Sequence, residues 1–268
     1  MTTLTHRRNT SRQLNELIIT SPLEPVTLTD DHRLSLASRF RAVAGTEHRR
    51  LDAWAVEQAG RPSTPFHWSP ATARRVLGNA SLRRVTHEPT RSITNAVREE
   101  LDDQLLRAAS GRTRAGSLAS WLARAPHPVL AVVSAEAVNW TTQVLEVARG
   151  LDDPFEVPAS DAYYDVATAR TTLRGRRELV VTRDNTRIIV RVRSGAPGKS
   201  AGPGLRADLI IDALAHHDGL ASSRIIGLWP EAGVALSVDG TMADLRAGAR
   251  DLVRTAVVQR RARLAVAA

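Results

Sequence analysis

The stretch GRRELVVTRDNTRIIVRVRSG, residues 175–195, decides how the second half of this chain is read. Leu179-Val180-Val181 and Ile188-Ile189-Val190 are apolar runs rich in β-branched residues, and Asp184-Asn185-Thr186 between them has turn chemistry. The stretch therefore predicts a β-hairpin. Its second strand alternates as Val190, Arg191, Val192, Arg193. With a side-chain period of two, both guanidinium groups fall on one face of the sheet. Arginines in that position either stand in solvent, pair with an acid across the hairpin such as Glu178, or bind something anionic.

Outward from the hairpin the pattern is α/β. VATARTTLRGRRELVV (166–181) reads as one long strand or two short ones, with TRIIVRVR as the hairpin partner. Residues 169–182 are expected to pair with 186–194. GAPGKSAGPG is a Gly/Pro loop, and GLRADLIIDALAHH is a helix whose apolar face is Leu205, Leu209, Ile210, Ala213 and Leu214. SRIIGLWP and GVALSVDG form a second strand pair around Pro230-Glu231-Ala232-Gly233, and a helix from about Met242 to Leu264 follows.

Upstream the chain is helical. Residues 1–29 hold Pro22 and Pro25 among few periodic apolar positions and read as an irregular arm. Helices are predicted from Asp30-Asp31 to about Ala44 and from about Glu47 to Gln58. GRPSTPFHW is a linker; Ser69-Pro70 opens the next helix, with proline at its first position. Further helices cover about Arg91–Ala109, SLASWLARA, and a long buried segment ending at Gly150. The expected organisation is an arm (1–29), a helical region (30–126) and an α/β core (127–268) with a mixed central sheet and flanking helices.

Composition narrows the function. The absence of cysteine excludes disulfides, thiolate metal sites and cysteine nucleophiles, and is expected of a cytoplasmic protein. No run of apolar residues is long enough to span a membrane, and the N-terminal segment lacks the apolar stretch of a secretory signal. The sequons Asn79-Ala80-Ser81 and Asn139-Trp140-Thr141 are then inert. The net charge of +9 is unevenly spread: residues 166–208 hold ten basic side chains against three acidic, and 126–165 hold one against seven. An excess of arginine suits phosphate, in nucleic acid or on an anionic surface.

Several motifs do not carry function. Gly198-Lys199-Ser200 lies between a strand and a helix, but Arg193 stands where a Walker loop needs its first glycine. Adjacent His216 and His217, if on a helix, point about 100° apart and cannot grip one metal together; an interaction with the helix C-terminus is expected instead. No serine-hydrolase, zincin or paired-carboxylate signature occurs. The tryptophans at 54, 68, 121, 140 and 229 read as packing residues, with Trp68 and Trp229 the two placed for base stacking.

The span from about 155 to 240 resembles the RecB-type branch of the PD-(D/E)XK nuclease superfamily. The likeness rests on Gly175-Arg176-Arg177-Glu178-Leu179-Val180, on Val190-Arg191-Val192-Arg193-Ser194-Gly195, on Asp208-Leu209-Ile210-Ile211-Asp212-Ala213-Leu214, and on Trp229-Pro230-Glu231-Ala232-Gly233. The resemblance implies a restriction-endonuclease-like core with a divalent-metal site. By it, Glu178 takes the place of the first metal-binding acid, Arg191 that of the second acid, and Arg193 that of the lysine. Arginine repels Mg²⁺ and cannot act as a base, so the site is degenerate.

Three functions follow as expectations. The first is a DNA-binding protein, with a role in repair or recombination implied by the resemblance, that needs no cofactor. It would hold the DNA backbone without sequence preference through Arg174, Arg176, Arg191, Arg193 and Lys199. The second is a Mg²⁺-dependent nuclease with relocated ligands: Asp208 beside Glu178, or Asp161, Asp165, Glu136 or Glu146. The third is a scaffold whose basic face meets an acidic protein.

Overall fold

A computed structural model describes residues 2–22, 24–43, 48–59, 67–111, 113–166 and 169–267. The chain is α/β, with mixed sheets flanked by helices and two helices before the first strand. It divides into two compact units, residues 1–63 with 150–268, and residues 64–149. The boundary thus falls after the long helix at 127–149, whereas the sequence placed that helix with the core.

The unit 64–149 is helical: α4 (Pro70–His87), α5 (Ile93–Ala109), α6 (Leu118–Leu122) and α7 (His127–Arg149). Ser69, Ser92 and Ser117 cap the first three, each side chain accepting a backbone N–H three residues on, and Pro70 sits at the first helical position. Ala73, Leu77, Val97, Leu118, Leu122, Val133 and Ala137 form its core. Gly78 lets α7 close on α4, because a side chain there would strike Trp140.

The other unit opens with α1 (Thr2–Ile19), so the expected irregular arm is helical over most of its length. Leu14 and Ile18, four residues apart and fully buried, are what that reading missed. Then comes α2 (Asp30–Ala42), capped by Thr29 through a reciprocal bond with His32. Glu47 lies outside the described residues; the rest of the helix expected at 47–58 is instead β1 (Arg49–Asp52) followed by α3 (Ala53–Glu57), and Asp52 ends the strand by capping α3 at Ala55.

Among the described residues the strands form two sheets. In the smaller, β4 (Thr171–Gly175) lies between β1, which runs parallel to it, and antiparallel β3 (Ala162–Val166). In the larger, the order is β2 (Phe155–Glu156), β5 (Leu179–Arg183), β6 (Thr186–Val192), β7 (Arg224–Trp229) and β8 (Val234–Asp239). Within the expected strand 166–181, β4 and β5 therefore belong to two different sheets, broken at Arg176–Glu178, and the hairpin proper pairs 179–183 with 186–190. Asp184 and Asn185 hold the tight turn with φ of 45° and 63°, as a two-residue hairpin turn demands.

From β6, α8 (Ala201–Ala215) carries the chain back so that β7 runs parallel to β6. Both central strands are covered on two faces, which explains their continuous apolar runs. Ile189 and Arg191 pair in register with Ile225 and Gly227 on the face under α8, where Gly227 lies against Leu205. On the opposite face Arg224 donates to the Leu17 carbonyl and to Thr20 Oγ1 of α1. The last helix, α9 (Met242–Ala267), packs on α8; Gly248 rests on the Arg206 carbonyl. Among the described residues no helix is long and apolar enough to cross a membrane.

Candidate functional site

The face of the hairpin under α8 holds a buried charge cluster. Strand alternation sends Arg187, Arg191 and the following Arg193 toward the helix, with Ile189 between them. Asp208 and Asp212 stand one turn apart on the inner side of α8, both 1% exposed. Arg191, 5% exposed, donates from Nε to Glu178 Oε2 at 2.8 Å and from a terminal nitrogen to Asp208 Oδ2. Glu178 is itself 4% exposed. One turn along α8, Asp212 meets Arg187 at 2.6 Å and Arg177 at 2.6 Å, and accepts the Ser222 hydroxyl at 2.7 Å. At the other end Arg193 donates to Glu57 of α3, and its guanidinium lies 5.6 Å from the centre of the Trp229 ring.

Four arginines (177, 187, 191, 193) thus meet four carboxylates (Glu57, Glu178, Asp208, Asp212). The cluster is charge-balanced, yet Asp208 Oδ1, Glu57 Oε1 and one terminal nitrogen of Arg193 are buried without a hydrogen-bond partner. A buried guanidinium is tolerable only when its desolvation is offset by close carboxylates. Arg176 lies beside the cluster, and its pKa is lowered by burial and next by the charge of Arg191.

Of the arrangements open to Arg191 and Arg193 (solvent, an acid such as Glu178, or an anionic partner), the structure has the ion-paired one: both are enclosed, under α8 and against α3. Arg174 is held by Asp161 at 2.6 Å and stacks over the Tyr163 ring at 5.9 Å, while Lys199 is exposed on the loop before α8. Much of the basic block 166–208 is neutralised from elsewhere in the chain. Arg174 pairs with Asp161, Arg183 with Asp153, Arg193 with Glu57 and Arg206 with Asp251. Linear charge counting could not see this, since the acids come from other segments.

The relocated-ligand arrangement brings only Asp208 to Glu178, and Arg191 stands between them. Asp161 is taken by Arg174, Asp165 accepts from Thr172 at 2.6 Å, and Glu136 pairs with Arg74 in the helical unit. A divalent cation does not fit between Glu178 and Asp208, because a fixed positive charge already fills the space the two carboxylates share.

Trp229 is 3% exposed and Trp68 is anchored through Nε1 to the Gly116 carbonyl at 2.7 Å, so Trp229 presents no face for stacking. The helix before His216 ends at Ala215, and His216 has extended backbone, so the two histidines are not on a helix as expected. Their ring nitrogens and Asp218 lie within 4.8 Å of one another. Asp218 Oδ1 accepts the Leu220 N–H at 2.9 Å and lies 2.6 Å from His216 Nδ1. These bonds, the backbone one first, lower the Asp218 pKa.

No family model matches the chain, and no curated protein sequence matches it.

Proposed function

We propose that this protein is a non-catalytic nucleic-acid-binding protein, built on a core that resembles the RecB-type PD-(D/E)XK nucleases and carrying an internal ion pair where those proteins would hold a metal. The observation that carries the reading is Arg191, whose guanidinium bridges Glu178 and Asp208. A carboxylate pair whose shared space is filled by a permanent cation keeps the shape of a metal site without its chemistry. No bound water is activated there, and a guanidinium supplies no base. The net charge of +9 supports a polyanionic partner held by its backbone.

The test has two arms. Linear duplex DNA incubated with the protein and Mg²⁺ or Mn²⁺ should stay intact; cleavage that is lost in Glu178→Gln would overturn the non-catalytic reading. Fluorescence anisotropy should show duplex binding in the range of about 10⁻⁴–10⁻⁶ M, weakening steeply with salt. Binding that ignores salt, or none at low salt, removes the nucleic-acid reading.

A further inference from the structure

We infer that the outer face of α9 is the surface that lies along the nucleic-acid phosphate backbone, an inference that rests on the nucleic-acid reading above. Arg246, Arg250, Arg254, Arg260 and Arg261 are all exposed. Among the described residues none of the five has an ion-pair partner, in contrast to the paired arginines of the hairpin. At 100° per residue they fall within an arc of about 120°, opposite the stripe that packs on the core. That stripe is Leu245, Gly248, Leu252, Thr255 and Ala256, all buried.

The two acids of α9 lie outside the arc and are engaged: Asp244 caps the helix start with Thr241, and Asp251 pairs with Arg206 of α8. The face therefore carries five uncompensated positive charges in line. Arg246 to Arg261 spans about 22 Å of helix axis, while a DNA strand presents a phosphate about every 3.4 Å. Arg246, Arg250 and Arg254 follow one another at four-residue intervals of about 6 Å, with Arg260 and Arg261 beyond them, so several can meet phosphates of one strand at once.

Other basic surfaces are weaker candidates. On the outer face of the small sheet, Arg50 and Arg174 flank Tyr163, but Asp161 neutralises Arg174 and Asp52 and Asp165 share that face. An anionic membrane is also less well matched. The apolar side of α9 is spent on the core, and none of the exposed large apolar side chains among the described residues lies on α9. A membrane-surface helix needs such a face to insert.

The experiment is a salt titration of duplex-DNA binding by the full chain and three variants. Arg246→Gln/Arg250→Gln/Arg254→Gln should reduce the log–log salt slope by up to ~2.7, about 0.9 per lost phosphate contact. It should also weaken binding about tenfold or more at low salt. The same three positions changed to lysine should keep the slope, because charge and not the guanidinium fork drives counterion release. Arg98→Gln/Arg107→Gln/Arg114→Gln removes equal charge from exposed positions of α5 and the turn after it, and should leave the slope nearly unchanged. A circular-dichroism melt superimposing on that of the parent shows that the α9 variant is folded.

If both glutamine triples weaken binding equally, general basicity explains it and the α9 surface is wrong. If the protein binds DNA and the α9 triple changes nothing, this inference fails while the nucleic-acid reading stands. If the parent binds no DNA but sediments with phosphatidylserine vesicles in an α9-dependent way, both are replaced by a membrane-surface role.

Discussion

Asp208 of α8 accepts the guanidinium of Arg191 from β6, so strand and helix are joined by a buried ion pair. The same guanidinium holds Glu178 just before β5, and the hairpin cannot shift register without breaking both contacts. Removing one partner strands the others. Arg191→Leu should destabilise the protein by about 3–5 kcal/mol in urea denaturation, because two buried carboxylates lose their counter-charge. Replacing the whole trio with Glu178→Met, Arg191→Leu and Asp208→Leu should recover most of that loss. A single variant with parental stability would show that the pair is solvated.

Glu57 and Arg193 offer a second, separable contact at the end of the same face. Both are mostly buried, so a double-mutant cycle with Glu57→Gln and Arg193→Gln should give a coupling of about 0.5–3 kcal/mol. Additive single effects would mean that α3 is held by its apolar packing alone.

Two glycines of the α8–α9 pair should respond to alanine with opposite signs. Glycine-to-alanine in a helix gains about 1 kcal/mol from propensity. At Gly202 the nearest atom to an added Cβ is Arg206 Nη1 at 3.9 Å, so the gain should survive. At Gly248 the added carbon would overlap the Arg206 backbone carbonyl, which cannot rotate aside. Overpacking of that kind costs about 1–3 kcal/mol and outweighs the propensity gain. Thermal melts should therefore rise slightly for Gly202→Ala and fall for Gly248→Ala.

The Asp218 carboxyl should titrate below an ordinary aspartate in a ¹³C-detected pH titration, because the Leu220 N–H and then the His216 ring favour its charged form. Its folded pKa is depressed, so the stability it contributes is present above about pH 3.9 and is lost as pH falls through the lower folded value. The group is exposed, which keeps that contribution small. A midpoint at or above that of unstructured aspartate would mean that neither bond persists in solution.

Local chemistry alone determined much of this protein. The Asp184-Asn185 turn, the β-branched runs beside it, the serine caps at 69, 92 and 117, and the turn at 230–233 each specify an element from nearest neighbours. Such signals act within a few residues, so they survive reading along one chain. Tertiary structure decided the rest. That 171–175 and 179–183 belong to different sheets, and that 49–52 is a strand parallel to 171–175, depends on partners more than a hundred residues away in one case. The fate of the hairpin arginines was decided in the same way. A period of two put Arg191 and Arg193 on one face, but it carries no information about what covers that face. Asp208 comes from the crossover helix and Glu57 from a segment 136 residues earlier. Folding brings those acids to the arginines because a buried guanidinium without a carboxylate is too costly to keep. The arginines of α9 stay in water because the apolar stripe opposite them takes the core-facing side of the helix.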